Sequence, residues 1–165
     1  IWDSESAREA MLKACEIAHK YDRMIAFSLS DRCCIDRHRA DFQKLIHDHV
    51  DIIFGNEEEI KSLYEEEDFY KCLDRIKNEV EIVNQRVKIF VEAEKVEDVV
   101  DTTGAGDLYA AGFLYGYTQG RSLGTCAMIG GIAAAEIISH YGARAEVSLR
   151  GFARNRLRAY GKSFS

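Results

Sequence analysis

VDIIFGNEEE, residues 50–59, joins a short apolar run to three glutamates through Gly55 and Asn56. The run is brief and rich in β-branched residues, so it reads as a strand, and the glutamates open a helix at residue 57. Upstream, residues 37–49 place Phe42, Leu45, Ile46 and His49 on one helical face. RMIAFSLS, residues 23–30, is short, apolar and followed by a polar loop, and reads as a strand buried by its neighbours. Residues 4–21 set Ala7, Met11, Ala14, Cys15 and Ala18 at helical spacing, with Asp3 or Ser4 as the N-cap. Helix, strand, helix, strand, helix is the alternation of a parallel α/β sheet. Ligands of such sheets bind outside the carboxyl ends of the strands, so chemistry is expected at SLSD and FGNEEE.

Downstream, residues 68–79 read as a helix, followed by VEIV, NQRVKIFVEA and VEDVV as strands. From Gly106 the pattern turns helical through YGYTQG, where Gly120 ends the helix. An alanine-rich helix is expected over about 123–139 and a last surface helix over 148–160.

The 165 residues fit one ordinary domain, and 47% hydrophobic content is enough for a core. The 28 acidic and 22 basic residues, net charge −6, are mixed along the chain, which argues against a nucleic-acid partner. No run reaches the length of a membrane span, and IWDSESAREA lacks the layout of a signal peptide. With five irregularly spaced cysteines, this suggests a cytoplasmic protein with reduced thiols. The adjacent Cys33 and Cys34 lack the second pair that a zinc site needs. A start at Ile1 rather than Met suggests a fragment or a processed chain.

In DTTGAGD, residues 101–107, three small residues and two aspartates precede an apolar helix. The first N–H groups of that helix are unpaired, and its dipole adds positive character there. Gly104, Ala105 and Gly106 carry no bulky side chain, so an anion can approach the amides. A carboxylate beside an anion site needs a reason, and holding a hydroxyl while it attacks phosphorus is one. The P-loop pattern is excluded because no lysine follows, and the dinucleotide fingerprint fails because Tyr109 stands at the third glycine position. The residues alone leave a second reading open, a tight turn with Asp107 as a first-turn helix stabiliser.

DTTGAGD followed by an aromatic residue and AAGF is similar to the second signature of the PfkB, or ribokinase-like, carbohydrate and nucleoside kinases. FGNEEE carries Asn56 and Glu59 at the positions of that family's NxxE motif. VDIIFGNEEEIKSLY and AAAEIISHYGAR also resemble its C-terminal half, particularly that of adenosine-kinase-like sugar kinases. The resemblance implies a three-layer αβα sandwich with a mainly parallel sheet, of which residues 1–165 would be the C-terminal portion of a single kinase domain. It implies transfer of a phosphoryl group from ATP, with Mg²⁺, to a hydroxymethyl group of a sugar or nucleoside, adenosine or ribose-like. Asp107 would be the catalytic base, and the amides of Gly104, Ala105 and Gly106 the anion hole. Asn56 would line the ATP phosphate site, and Glu59 would position Mg²⁺ through water. Asp101 and Thr103 match positions that hold a monovalent cation such as K⁺, with SHYGAR closing the other side.

Each residue also has a plainer use. Asn56 and Glu59 are suited to a helix cap and a first-turn acid, Asp101 to an Asx turn, and His140 to a dipole partner as well as a nucleotide contact. His47 and His49 read as surface and core residues, not ligands. Alternative functions are a kinase for another sugar, such as fructose or ketogluconate, and a non-catalytic nucleotide- or sugar-binding homologue. The family's N-terminal part, with the sugar-binding residues and the lid sheet that often forms a homodimer interface, has no counterpart in these residues. A VTxGxxG-type loop is also missing between NEVEIV and NQRVKIF. Either residues are lost from this point or the chain carries a true deletion that would impair ATP binding, and the first is favoured because the join leaves no turn chemistry between two strands.

Overall fold

The computed structural model describes residues 2–79 and 94–161. The expected strands VEIV and NQRVKIFVEA, and the join between them, lie outside the described residues. Two compact units divide the chain, Ile1–Arg86 and Val87–Ser165.

The first unit runs α1 (Glu5–Lys20), β1 (Ala26–Ser28), α2 (Arg32–His49), β2 (Ile52–Phe54), α3 (Glu57–Tyr64) and α4 (Phe69–Glu79). β1 and β2 pair in parallel, with Ala26 opposite Ile52, Phe27 opposite Ile53 and Ser28 opposite Phe54. The crossover between them is α2, as a parallel pair requires. Ile25 O and Leu29 N extend the pairing at either end, accepting from Asp51 N and Ile52 N and donating to Phe54 O.

Four details differ from the sequence reading. Helix α2 begins at Arg32, because Asp31 caps it by accepting from Cys34 N at 2.8 Å. The helix is interrupted at His38 (φ −127°, ψ 26°), where the ring lies 2.7 Å from Asp3 and Arg37 also reaches that carboxylate. Asp3 therefore ties down α2, and Ser4 stands at the N-cap of α1 without a side-chain cap bond. β1 is not buried on both sides: Phe27 is half-buried while Ala26 and Ser28, which alternate to the other face, are exposed. Ala14 is exposed as well, leaving Cys15 as the buried residue of α1.

Phe42, Leu45 and Ile46 of α2 are buried with Leu29, Val50, Ile60, Leu63 and Cys72. Phe42 meets Trp2 and Phe27 edge-on, at centroid distances of 5.1 and 5.4 Å. His47 is exposed beside Asp48, and half-buried His49 lies against His19. A groove of about 320 Å³ is lined by Trp2, Arg8, Asp41, Lys44 and His49 among others, and no expected site residue borders it.

The second unit holds α5 (Ala105–Thr118), α6 (Leu123–Ile137) and α7 (Leu149–Ala159). Residues 96–100, expected as a strand, are irregular. The Val100 amide donates to Ile138 O at the end of α6, at 2.8 Å, rather than to a ladder partner. Gly120 (φ 70°) turns the chain after α5, and Ser122 and Ser148 cap the next two helices. Glu94 is bound to α7 by Tyr160 Oη at 2.9 Å and Arg156 at 3.4 Å.

α5 and α6 run antiparallel, and their backbones approach closely where both present glycine. A Cβ on Gly112 would lie 2.9 Å from Ile129 O, and one on Gly130 would lie 2.7 Å from Tyr109 O. Backbone atoms cannot swing aside, so Gly130→Ala should force the helices apart. Overpacking of this kind costs about 1–3 kcal/mol, more than the ~1 kcal/mol alanine gains in helix propensity. A lower denaturant midpoint for Gly130→Ala in the complete protein is expected, and an unchanged one would refute the close approach.

Candidate active site

The turn before α5 is built by Asp101. Its Oδ1 accepts from Thr103 N at 2.9 Å, an Asx turn, and its Oδ2 accepts from Gly142 N at 3.0 Å. Hydrogen bonds from Thr103, through side chain and backbone, and from Gly142 hold the Asp101 carboxyl below its usual value. The SHYGAR loop is thus brought to Asp101.

Gly104 follows as the N-cap of α5, in the left-handed region (φ 82°, ψ 0°). Only glycine adopts this readily, and here there is no room for a side chain either, since a Cβ would sit 3.0 Å from Ala143 Cβ. Ala105 N donates to Thr102 O at 3.2 Å, and Leu108 N makes the next bond, to Gly104 O. The intervening amides of Gly106 and Asp107 have no acceptor among the described residues. Around Gly106 a Cβ would meet nothing within 4 Å. Gly104 N, Gly106 N and Asp107 N are therefore without an acceptor among the described residues, whereas Ala105 N, expected in the anion hole with Gly104 and Gly106, is engaged within the turn.

Asp107 is exposed at the third position of the helix. It makes neither a cap bond nor an ion pair with a described residue, so its carboxylate is unengaged beside these amides. Open space at Gly106 and these unpaired donors fit an anionic group such as a phosphate.

Asn56 and Glu59 lie in the first unit. Asn56 Oδ1 accepts from Glu59 N at 2.9 Å while Glu59 Oε2 accepts from Asn56 N at 3.0 Å, a complete capping box. A Cβ on Gly55 just before it would fall 2.7 Å from Leu29 Cδ1, so a side chain there would displace that buried leucine. The described residues contain no cluster of three His, Cys, Asp or Glu able to hold a metal ion.

Sequence reasoning missed Glu136. This carboxylate, only 6% exposed near the end of α6, accepts from Glu146 N at 2.9 Å through Oε1, and His140 Nε2 lies 3.3 Å from the same oxygen. Burial opposes charge on His140, but the Tyr141 carbonyl, Glu136 and Glu146 outweigh it and raise the pKa above its ordinary 6.5. The only signal was one acid inside the apolar run AAAEII.

Residues 1–149 match the pfkB family carbohydrate kinases. The chain belongs to that family. It is 34% identical, over 122 residues, to an uncharacterised sugar kinase of Archaeoglobus fulgidus, covering 66% of this chain and 48% of that protein. It is 28% identical to a 5-dehydro-2-deoxygluconokinase of Listeria innocua, over 82% of this chain and 47% of the other. Among solved structures, adenosine kinase from Sinorhizobium meliloti superposes with a TM-score of 0.88 at 42% identity, covering 94% of this chain and 51% of that one. The ribokinase-like α/β fold expected from the motifs is therefore correct, and the pfkB chain spans about half the length of the relatives it matches. No helix among the described residues is long and apolar enough to cross a membrane.

Proposed function

We propose that residues 101–107 form the phosphoryl-transfer site of an ATP-dependent kinase acting on the hydroxymethyl group of a sugar or nucleoside, adenosine or ribose-like. The observation that carries this reading is the pairing of two free amides, Gly106 N and Asp107 N, with the unengaged Asp107 carboxylate. Asp107 takes the proton of the acceptor hydroxyl as its oxygen bonds to the γ-phosphorus, and the bond to the bridging oxygen breaks to leave ADP. The amides stabilise charge on the equatorial oxygens. A pure binding homologue has no use for a carboxylate beside its phosphate, which disfavours that alternative.

Asn56 is assigned to the ATP phosphate site and Glu59 to Mg²⁺ through water, Glu59 Oε1 being outside the capping box. Mg²⁺ would neutralise charge on the transferring phosphates. Residues 1–165 are assigned to the C-terminal portion of one kinase domain, in a cytoplasmic protein whose five cysteines are free thiols. A homodimer would form through a region outside this chain. The 42% identity to an adenosine kinase supports the nucleoside reading, and the 28% identity to the gluconokinase supports a keto-sugar acceptor.

The test is to incubate the complete protein with γ-phosphate-labelled ATP and a panel of nucleosides, ribose, fructose and ketogluconates. Label should appear on a primary hydroxyl of an acceptor, and label released only to water would overturn the reading. The Asx turn holds Asp101 and Thr103 side by side, with Thr103 N donating to Asp101 Oδ1, and the two are assigned to a monovalent-cation site. Potassium should then raise turnover more than sodium does, and equal rates in the two salts would remove that assignment.

A further inference from the structure

We propose that Glu136 is a positioning residue for phosphoryl transfer, its buried carboxylate holding the 139–146 loop in the conformation that sets the turn at 101–107. This rests on the reading of that turn as the phosphoryl site. The connection is continuous. Glu136 Oε1 accepts from Glu146 N at 2.9 Å and lies 3.3 Å from His140 Nε2, so it grips the loop at both ends. Between those grips Gly142 N donates to Asp101 Oδ2 at 3.0 Å, and Ala143 backs the Cα of Gly104, 3.0 Å from where a Cβ would be. Asp101 in turn fixes Thr103 N at 2.9 Å, and Gly104 begins α5, so the orientation of the Gly106 and Asp107 amides follows from where the loop sits.

A buried carboxylate loses solvation that only good hydrogen bonds return. Glu136 is only 6% exposed, both groups that meet its Oε1 belong to this one loop, and its buried Oε2 has no partner among the described residues. Its neighbours on α6 are apolar, so nothing in the helix packing calls for an acid there. The role follows from the loop, and through it from the anion turn.

The experiment compares Glu136→Ala, Glu136→Leu and Glu136→Gln in the complete protein, alongside Asp107→Asn. Leucine fills the volume without an acceptor and serves if the alanine cavity prevents folding. Glutamine keeps an acceptor oxygen for Glu146 N. At a temperature where all are folded, the alanine and leucine variants should lose about 10–100-fold in kcat, the scale of a sub-ångström to 1 Å misplacement. Acceptor KM should stay within about twofold and Glu136→Gln within about threefold of wild type in kcat. Hydrogen exchange should quicken at 139–146 and at 101–104 in the alanine or leucine variant, with the middle of α5 unchanged. Normal kcat in a folded alanine or leucine variant would overturn the proposal, as would a loss confined to acceptor KM, or a glutamine variant as impaired as alanine. Retained turnover in Asp107→Asn would instead overturn the reading of the turn itself, so the two failures are separable.

Discussion

Asp107→Asn in the complete protein should lower kcat by about 10²–10⁴-fold, the usual worth of general-base assistance. Asparagine keeps the size of the side chain and can still contact an acceptor hydroxyl, but it cannot take the proton. Asp107 makes no cap bond and no ion pair with a described residue, so the substitution removes no structural partner and the fold should persist. Affinity for ATP should hold or rise, because a negative charge beside the phosphate is gone. Steady-state kinetics together with nucleotide binding by calorimetry check both halves. Near-normal turnover would return Asp107 to the role of a first-turn helix stabiliser.

Gly104→Val should act on binding as well as chemistry. The residue sits at φ 82°, where a side chain costs about 1–2 kcal/mol, more for a β-branched one, and its Cβ would press on Ala143 Cβ at 3.0 Å. The turn must shift to relieve both, which moves the Gly106 and Asp107 amides off the anion. Loss of one such donor is typically worth about 10²–10³-fold in turnover. ATP affinity should fall too, in contrast to Asp107→Asn. Equal ATP affinity in Gly104→Val and wild type would show that the anion does not sit at this turn.

The helices were legible because their signals are local. The starts expected at Gly106, about 123 and 148 fall within one residue of those of α5, α6 and α7. The early start of α2 was hidden because its cap, Asp31, sits in what reads as a loop. VEDVV has a strand's composition, yet Val100 spends its amide on the end of α6, a choice made by tertiary packing that no local pattern records. At the site, the glycines and Asp107 were readable, and so was the plainer use of Asn56 and Glu59, which the structure displays as a capping box. Engagement of Ala105 N by Thr102 O was not readable, since it depends on the detailed path of the turn. Glu136 escaped because its partners, His140 and Glu146, come from a loop whose fold back onto α6 is not encoded by any period.

Amide NMR of the complete protein with ADP, Mg²⁺, an acceptor and a planar fluoride mimic of the phosphoryl group tests the central claim most directly. The Gly106 and Asp107 amides should show the largest shifts when the mimic is added to the ADP complex, as donors that gain an anionic acceptor. Unchanged Gly106 and Asp107 resonances, with mimic-dependent shifts elsewhere, would contradict the assignment of this turn as the phosphoryl-transfer site.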